Sequence, residues 1–228
     1  MFELIDVSKT YRRRQSEVTA FRAAQLVIGK GEYVAVVGPS GSGKTTLLSI
    51  LGGMLSPDTG EVRFDGTSMY ELTIVERARL RRERIGFVFQ TFNLLPYLTA
   101  IENVQVPLFL RGHTRSEGRD IAATLLQSVG LGNRLDHKPR ELSTGQQQRV
   151  AVARTLANDP GVILADEPTG NLDAESREHI LSIFDASVSD GKTVVVVTHD
   201  TTAAQRAHRQ LRLDDGHLSG EHALRIVA

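Results

Sequence analysis

The chain has 228 residues, enough for one large domain or two small ones. Its 27 lysines and arginines balance 27 aspartates and glutamates, so charge alone gives no basis for coating nucleic acid or an anionic lipid surface. The absence of cysteine excludes disulfides and thiolate metal sites. The first residues carry acids and lack a basic and an apolar region, so they are not expected to form a signal peptide, and no apolar run reaches roughly 20 residues. The composition therefore predicts a soluble protein that reaches a membrane only through a partner.

The segment before the first glycine-rich loop is predicted to contain three strands, Phe2 to Val7, Ala24 to Ile28 and Tyr33 to Val37. Tyr11 is predicted to close the first strand. It is either an aromatic platform for a nucleobase or an ordinary tyrosine at a strand end. The three arginines at positions 12 to 14 indicate a solvated loop more than a site.

A stretch of the form G-x-x-x-x-G-K-T follows the third strand and precedes a helical run. It consists of Gly38, Pro39, Ser40, Gly41, Ser42, Gly43, Lys44 and Thr45. Strand, glycine loop and helix in this order are the context of a phosphate-binding P-loop. Glycines let the backbone N–H groups turn inward, and the helix N-terminus adds about half a positive charge. We expect Lys44 to reach the β- and γ-phosphates of a nucleoside triphosphate and Thr45 to take one Mg²⁺ position.

The next segment is predicted to contain a short strand with a hairpin turn at residues 61–66 and a surface helix at 73–84. Ile74, Leu80 and Ile85 mark the apolar side expected of that helix. A strand from residue 85 to 89 then ends at Gln90.

Residues 91 to 158 have helical spacing, which predicts an all-helical insertion between two strands. The apolar patch from Leu94 to Val106 is either the core of this insertion or a docking surface for another protein. After the insertion, a buried strand ends at Asp166 and Glu167, and Asp173 is expected to N-cap a helix. The tail is predicted to close with a hairpin at residues 214–216.

Four nearly all-apolar strands without alternation are typical of parallel strands covered on both faces. They end at Gly38, at Gln90, at Asp166-Glu167 and at His199. Because open α/β sheets bind ligands at the carboxyl ends of their strands, we expect these residues to form one site. For phosphoryl transfer, Asp166 would hold Mg²⁺ directly or through water, and Glu167 would polarise the attacking water. Gln90 would contact Mg²⁺ or that water, and His199 the γ-phosphate.

In this order the motifs resemble those of ATP-binding cassette (ABC) transporter ATPases over essentially the whole chain. The resemblance assigns Tyr11 to the A-loop, Gly38 to Thr46 to Walker A, Gln90 to the Q-loop, Leu142 to Gln146 to the signature, Val162 to Glu167 to Walker B, Asn171 to Asp173 to the D-loop and His199 to the switch histidine. It implies an α/β P-loop NTPase fold with a mainly parallel core sheet, an antiparallel β subdomain and an inserted helical subdomain. The implied domain spans 1–228, with 1–90 and 159–228 as core and antiparallel β subdomain and 91–158 as helical subdomain.

The resemblance also implies a homodimer in the ATP-bound state, in which each nucleotide is shared between two copies. In that arrangement Ser143, Gly145, Gln146 and Asp173 contribute to the nucleotide site of the partner. Thr144 departs from the family, which usually has a glycine there. The substitution is either harmless, since threonine is tolerated at a helix start, or a bulkier contact that slows dimer closure. We favour the harmless interpretation.

Residues 90–95 and 165–173 resemble the LolD/MacB/FtsE branch of the family. This implies an ATP- and Mg²⁺-dependent ATPase on the cytoplasmic face of the inner membrane, with no nucleic-acid partner. It would power export or extraction of a lipoprotein, peptide or macrolide-like substrate through MacB-, LolC/E- or FtsX-like permease subunits. One alternative is FtsE-like force transmission to a periplasmic or cell-wall partner. Another is a soluble ABC ATPase outside transport.

Overall fold

The computed structural model describes residues 1–13 and 16–223, in which ten strands form one continuous sheet. In chain order the strands are β1 (Phe2–Arg13), β2 (Ser16–Ile28), β3 (Tyr33–Val37), β4 (Thr59–Phe64), β5 (Thr67–Ser68), β6 (Ile85–Val88), β7 (Val162–Asp166), β8 (Thr193–Thr198), β9 (Arg209–Asp214) and β10 (His217–Ala223). Neighbouring strands follow the order β5-β4-β1-β2-β10-β9-β3-β8-β7-β6. The part from β9 to β6 is parallel, and the part from β5 to β2 is antiparallel. The predicted combination of a mainly parallel core and an antiparallel part is confirmed.

The described residues contain seven α-helices. They are α1 (Lys44–Leu51), α2 (Ile74–Arg84), α3 (Ala100–Leu110), α4 (Arg115–Ser128), α5 (Thr144–Leu156), α6 (Ala174–Ser189) and α7 (Thr201–Gln205). Helices α3, α4 and α5 lie within the segment predicted to be helical, and a short 3₁₀ turn at Pro139–Glu141 precedes α5. None of the helices among these residues is both long and apolar enough to cross a bilayer.

The parallel strands are covered on both faces. On one face, Val34 and Val36 of β3 pack in a core with Leu47 of α1 and with residues of the antiparallel strands. On the other face, Ala35 packs in a second core with Phe184 of α6. Because consecutive residues of each strand are buried on opposite sides, the strands read as continuous apolar runs.

The apolar patch from Leu94 to Val106 is divided between interior and surface. Ile101 and Val104 are buried in a third core, formed by α3, α4 and α5. Leu95 and Tyr97, in the loop before α3, have 45% and 87% of their surface exposed. Helical core therefore accounts for part of the patch, and the rest of it faces outward.

Two local predictions were wrong. Strand β1 continues past Tyr11 to Arg13, because it pairs with β2 down to Arg13 opposite Ser16, so the first arginines lie in a strand and not in a loop. Arg14 lies outside the described residues. The predicted apolar side of α2 was wrong for Ile74, which is 76% exposed, whereas Ile85 is buried as the first residue of β6. Leu80 of the same predicted side does pack against the first core, and a capping box formed by Thr73 and Glu76 supports the start of the helix.

We expect Asn103→Ala to lower the free energy of unfolding by about 2–3 kcal/mol, because it removes a fully buried hydrogen-bonding amide. The Oδ1 atom of Asn103 accepts from the N–H of Leu95 at 2.8 Å, and Nδ2 donates to the carbonyl oxygens of Leu95, Leu98 and Thr99 at 3.0–3.1 Å. Urea unfolding measures the loss. The control is Thr124→Ala, which removes one exposed hydrogen bond within α4 and should change stability by less than about 0.5 kcal/mol. Equal losses of unfolding free energy in the two variants would contradict the stabilising role assigned to the buried Asn103 amide.

Candidate functional site

A cleft of about 870 Å³ lies at the carboxyl ends of the parallel strands. Its lining residues are Tyr11, Arg12, Val18, Ala20, Ser40, Gly41, Gly43, Lys44, Thr45, Thr46, Gln90, Asp166, Glu167 and His199. Gly38 and Pro39, together with His199, line a neighbouring cavity of about 590 Å³, and Ser42 is buried in the glycine loop. The structure thus brings together residues that follow four different strands.

The glycine loop is pressed against the antiparallel strands. Gly43, which precedes α1, has a φ of 104°, in a region that residues with a side chain rarely adopt. A Cβ atom on Gly43 would lie 1.8 Å from the carbonyl oxygen of Ala20 in β2. Glycine at this position therefore permits both the turn of the loop and its close contact with β2.

Lys44 is buried at the first turn of α1. Its Nζ donates to the carbonyl oxygens of Gly38 at 2.7 Å and Pro39 at 2.9 Å, and it lies 3.8 Å from Oε1 of Glu167. The ammonium group is therefore held over the loop, beside the N-terminus of α1. Both features favour negative charge at this point, as phosphate groups would supply.

Thr45 and Asp166 form the contact that best fits a divalent metal. The Thr45 hydroxyl donates to Oδ2 of Asp166 at 2.9 Å. Two neighbouring oxygen ligands of octahedral Mg²⁺, each about 2.1 Å from the metal, lie about 3 Å apart, so the spacing matches. Burial raises the pKa of Asp166, which the Thr45 hydrogen bond counteracts. A bound cation would favour the charged carboxylate in the same way.

Glu167 is held in an unusual backbone conformation at the end of β7. Its φ is 45°, and its N–H donates to the carbonyl oxygen of Val197 in β8 at 2.9 Å. The side chain is mostly buried, with Oε1 2.9 Å from Nδ1 of His199 and Oε2 accepting from the Thr198 hydroxyl at 3.1 Å. Strained residues of this kind are concentrated at active sites, where the surrounding contacts maintain them. Here those contacts aim a carboxylate into the cleft.

The antiparallel strands form one wall of the cleft. Tyr11 of β1 lies directly opposite Val18 of β2, so the two side chains share a face, and Ala20 lies two residues further along β2. Arg12 also lines the cleft, and its Nε lies 3.3 Å from Oε1 of Glu17. Arg12, Val18 and Ala20 were not predicted as site residues from the sequence. They could have been found by recognising that β1 and β2 form one long hairpin, because that pairing places residues 11 and 18 side by side.

The predicted signature and D-loop residues lie outside the cleft described above. Ser143 N-caps α5 in a capping box with Gln146, and Asp173 N-caps α6, as predicted, by accepting from the N–H of Ser176 at 2.9 Å. A Cβ atom on Gly145 would lie 2.1 Å from Oγ of Ser176. The starts of α5 and α6 therefore touch, and only a residue without a side chain allows the approach observed at position 145.

Thr144, unlike the neighbouring Gly145, is not buried. It is exposed, it is the first residue of α5, and it is not among the residues with positive φ. Its backbone is therefore one that threonine adopts without strain. The backbone of the single chain therefore tolerates threonine here, and the effect of Thr144 on dimer closure stays a prediction.

Comparison with known proteins identifies the family. The ABC transporter family model matches residues 21–170. The macrolide export ATP-binding/permease protein MacB of Syntrophobacter fumaroxidans is 48% identical over 224 residues, which are 97% of this chain and 31% of that protein. An ABC transporter ATP-binding protein of Thermotoga maritima, described as uncharacterized, is 48% identical over 96% of this chain and 94% of its own length. The chain thus spans about a third of the length of the MacB relative and nearly all of the second.

Solved structures show the same similarity. The dimeric structure of a post-hydrolysis state of the ATP-binding cassette MJ0796, bound to ADP and Pi, has a TM-score of 0.93 to this chain at 44% identity. The match covers 99% of both chains. A second dimeric structure of MJ0796 is similar at a TM-score of 0.93 and 45% identity. On its motifs, its fold and these matches, the chain belongs to the ABC transporter family and is an ATP-binding cassette ATPase.

Proposed function

We propose that this ATPase powers export or extraction through transmembrane permease subunits, from the cytoplasmic face of the inner membrane. The similarity to MacB, whose name joins an ATP-binding part to a permease, supports the proposal. The permease would be of the MacB, LolC/E or FtsX type, and the substrate a lipoprotein, peptide or macrolide-like molecule. In this proposal the chain contacts the membrane only through that partner and binds no nucleic acid.

In the proposed reaction, Lys44 and the N–H groups of the glycine loop hold the phosphates, and Tyr11 stacks on the base. Thr45 and Asp166 hold Mg²⁺, which neutralises charge on the phosphates when it is bound. Glu167 takes the role of the base that orients the attacking water, because its carboxylate faces the cleft from a rigid backbone position. Gln90 follows β6 and His199 follows β8, on either side of β7, and both line the cleft, where they would contact that water and the γ-phosphate.

The proposed ATP-bound state is a two-fold homodimer, which the dimeric MJ0796 structures support. Ser143, Gly145 and Gln146 at the start of α5 would face the nucleotide of the partner, with Asp173 beside them. Residues 91–158 would then move as the helical subdomain, against a core made of 1–90 and 159–228. Closure would follow from tighter binding of ATP to the closed dimer than to the open one.

The proposed contact with a permease rests on one observation, a surface groove of about 410 Å³. It lies between the edge strand β6 and helices α3 and α5, and its lining includes Leu95, Val106 and Leu110. Leu110 is 66% exposed, and Tyr97, in the loop before α3, is 87% exposed. Exposed apolar surface of this kind marks interaction sites, and we propose that a cytoplasmic segment of the permease occupies it.

Purification of the tagged chain from detergent-solubilised membranes tests this proposal. Mass spectrometry is expected to identify one polytopic permease, and Leu110→Gln should reduce its recovery about tenfold, as loss of a central apolar contact does. Val75→Gln is the matched control, since Val75 is 78% exposed but lies on α2, away from the groove. Both variants should hydrolyse ATP like the original chain. Equal recovery with the two variants would contradict the groove, and recovery of ribosomal or nucleic-acid partners alone would contradict the transport role.

The FtsE-like alternative uses the same cleft and the same groove. It differs in the output, which would be force on a periplasmic or cell-wall partner in place of translocation. The identity of the recovered membrane protein distinguishes the two functions.

A further inference from the structure

The guanidinium group of Arg154, in the last turn of α5, binds the loop that follows Gln90. One terminal nitrogen donates to the carbonyl oxygen of Asn93 at 2.6 Å, and the other donates to that of Phe92 at 2.7 Å. No carboxylate among residues 1–13 and 16–223 lies within ion-pair distance of Arg154 in the structure, and burial lowers its pKa. Two backbone carbonyls are therefore the groups that compensate this cation.

The loop held in this way has a strained backbone conformation. Phe92 and Asn93 have φ values of 55° and 49°, and two successive left-handed residues with side chains are disfavoured. Their own N–H groups make short-range bonds, to the carbonyl oxygens of Phe89 and Thr91. The contact with Arg154 is what connects this strained turn to another element.

The position of Arg154 connects two regions assigned to the nucleotide. Gln90 lies in the cleft two residues before Phe92, and α5 begins next to Ser143 of the signature. A guanidinium with two parallel donors transmits a displacement more directly than a single flexible contact, because its geometry is fixed. Movement of the Gln90 loop would therefore carry α5 with it.

We propose that Arg154 is a positioning residue for ATP hydrolysis: its bidentate contact with the carbonyls of Phe92 and Asn93 places Gln90 and couples it to the signature helix. This inference rests on the proposed role of Gln90 in the cleft. Arg154 contacts neither nucleotide nor metal in this assignment, so it acts on catalysis through the loop alone.

Steady-state kinetics of the purified chain test the inference. Arg154→Met is expected to reduce kcat about tenfold, within the range that follows from a misplaced catalytic group, while ATP affinity without Mg²⁺ changes by less than about twofold. Arg154→Lys should restore little of kcat, because an ammonium group cannot make the paired contact. Arg149→Met is the matched control, since Arg149 on the same helix also donates to a carbonyl, that of Val129, and should retain kcat.

Hydrogen exchange separates this role from a general effect on folding. In Arg154→Met, the amides of residues 91–93 should exchange at least about tenfold faster, while the core of α5 stays protected. Unchanged exchange in the loop, full kcat in Arg154→Met, or full rescue by lysine would each overturn the inference. So would an equal loss of protection along the whole of α5.

The Gln90→Ala variant tests the underlying function separately. It should lower kcat, and adding Arg154→Met to it should reduce kcat by less than a further twofold or so, since both changes act on one path. If the two substitutions instead reduced kcat independently, so that their effects multiplied in the double variant, the proposed coupling of Arg154 to Gln90 would be overturned. Full kcat in Gln90→Ala would instead contradict the proposed role of Gln90 in the cleft, a failure that is visible without any change at Arg154.

Discussion

Replacing Glu167 by glutamine is expected to reduce ATP hydrolysis by at least about 100-fold while ATP remains bound, because the amide cannot accept a proton from the attacking water. Glutamine has the same shape and can keep the left-handed backbone and the contact with Thr198. The loss should therefore appear in kcat and not in ATP affinity. Steady-state hydrolysis and equilibrium ATP binding measure the two quantities. Glu71→Gln, at an exposed position outside the cleft, is the control and should retain full activity.

The same Glu167→Gln variant tests the shared site. Light scattering after gel filtration is expected to give the mass of a dimer with ATP and Mg²⁺ and of a monomer without them. A dimer would show that Thr144 is tolerated at the start of α5. If the variant stays monomeric while binding ATP, Thr144→Gly in the same background decides the cause, because only a contact made by the threonine side chain would be relieved. Hydrolysis near the original rate would contradict the role assigned to Glu167.

Lys44→Ala is expected to abolish turnover and to weaken ATP binding about 10- to 100-fold, the range expected for loss of a charged hydrogen bond. The ammonium group lies at the N-terminus of α1, over the glycine loop, where the phosphates would bind. Fluorescent-nucleotide titration and steady-state hydrolysis measure the two effects. Lys30→Ala, which removes an exposed lysine from a turn, is the control.

The Lys44 variant also removes two hydrogen bonds from the loop itself, to the carbonyl oxygens of Gly38 and Pro39. Lys44→Met, which keeps much of the side-chain packing, separates this structural loss from the loss of charge. Both variants should fail to hydrolyse ATP, with Lys44→Met the more stable to heat. Normal turnover in either variant would contradict the P-loop assignment.

Much of the fold was predictable because many of its elements depend only on residues that are close together in the sequence. The four apolar strands, the helix after the glycine loop and the cap at Asp173 all depend on neighbouring residues. The common edge of the strands followed from a general rule of parallel sheets, and the structure brings Gln90, Glu167 and His199 to one cleft. At each of these positions, the local sequence pattern and the order of strands in the sheet predict the same structure.

The errors fell where a partner distant in sequence decides the structure. Arg12 and Arg13 look like part of a loop, yet they pair with β2, and Arg12 lines the cleft. Ile74 looks like part of an apolar face, but no other element covers it. Pairing along a strand and coverage of a helix are set by what packs against them, and a single stretch does not specify that.

The sequence by itself determined that this protein binds a nucleoside triphosphate, since the glycine loop, its lysine and the acidic pair are contiguous or lie at fixed places after strands. Only the tertiary structure decided how these parts depend on one another. Three contacts join residues far apart in the chain. Gly145 lies against Ser176, Gly43 lies against Ala20, and Arg154 donates hydrogen bonds to the loop that follows Gln90. Such contacts depend on distances of a few ångströms between separate elements, and those distances are fixed by packing and not by local pattern.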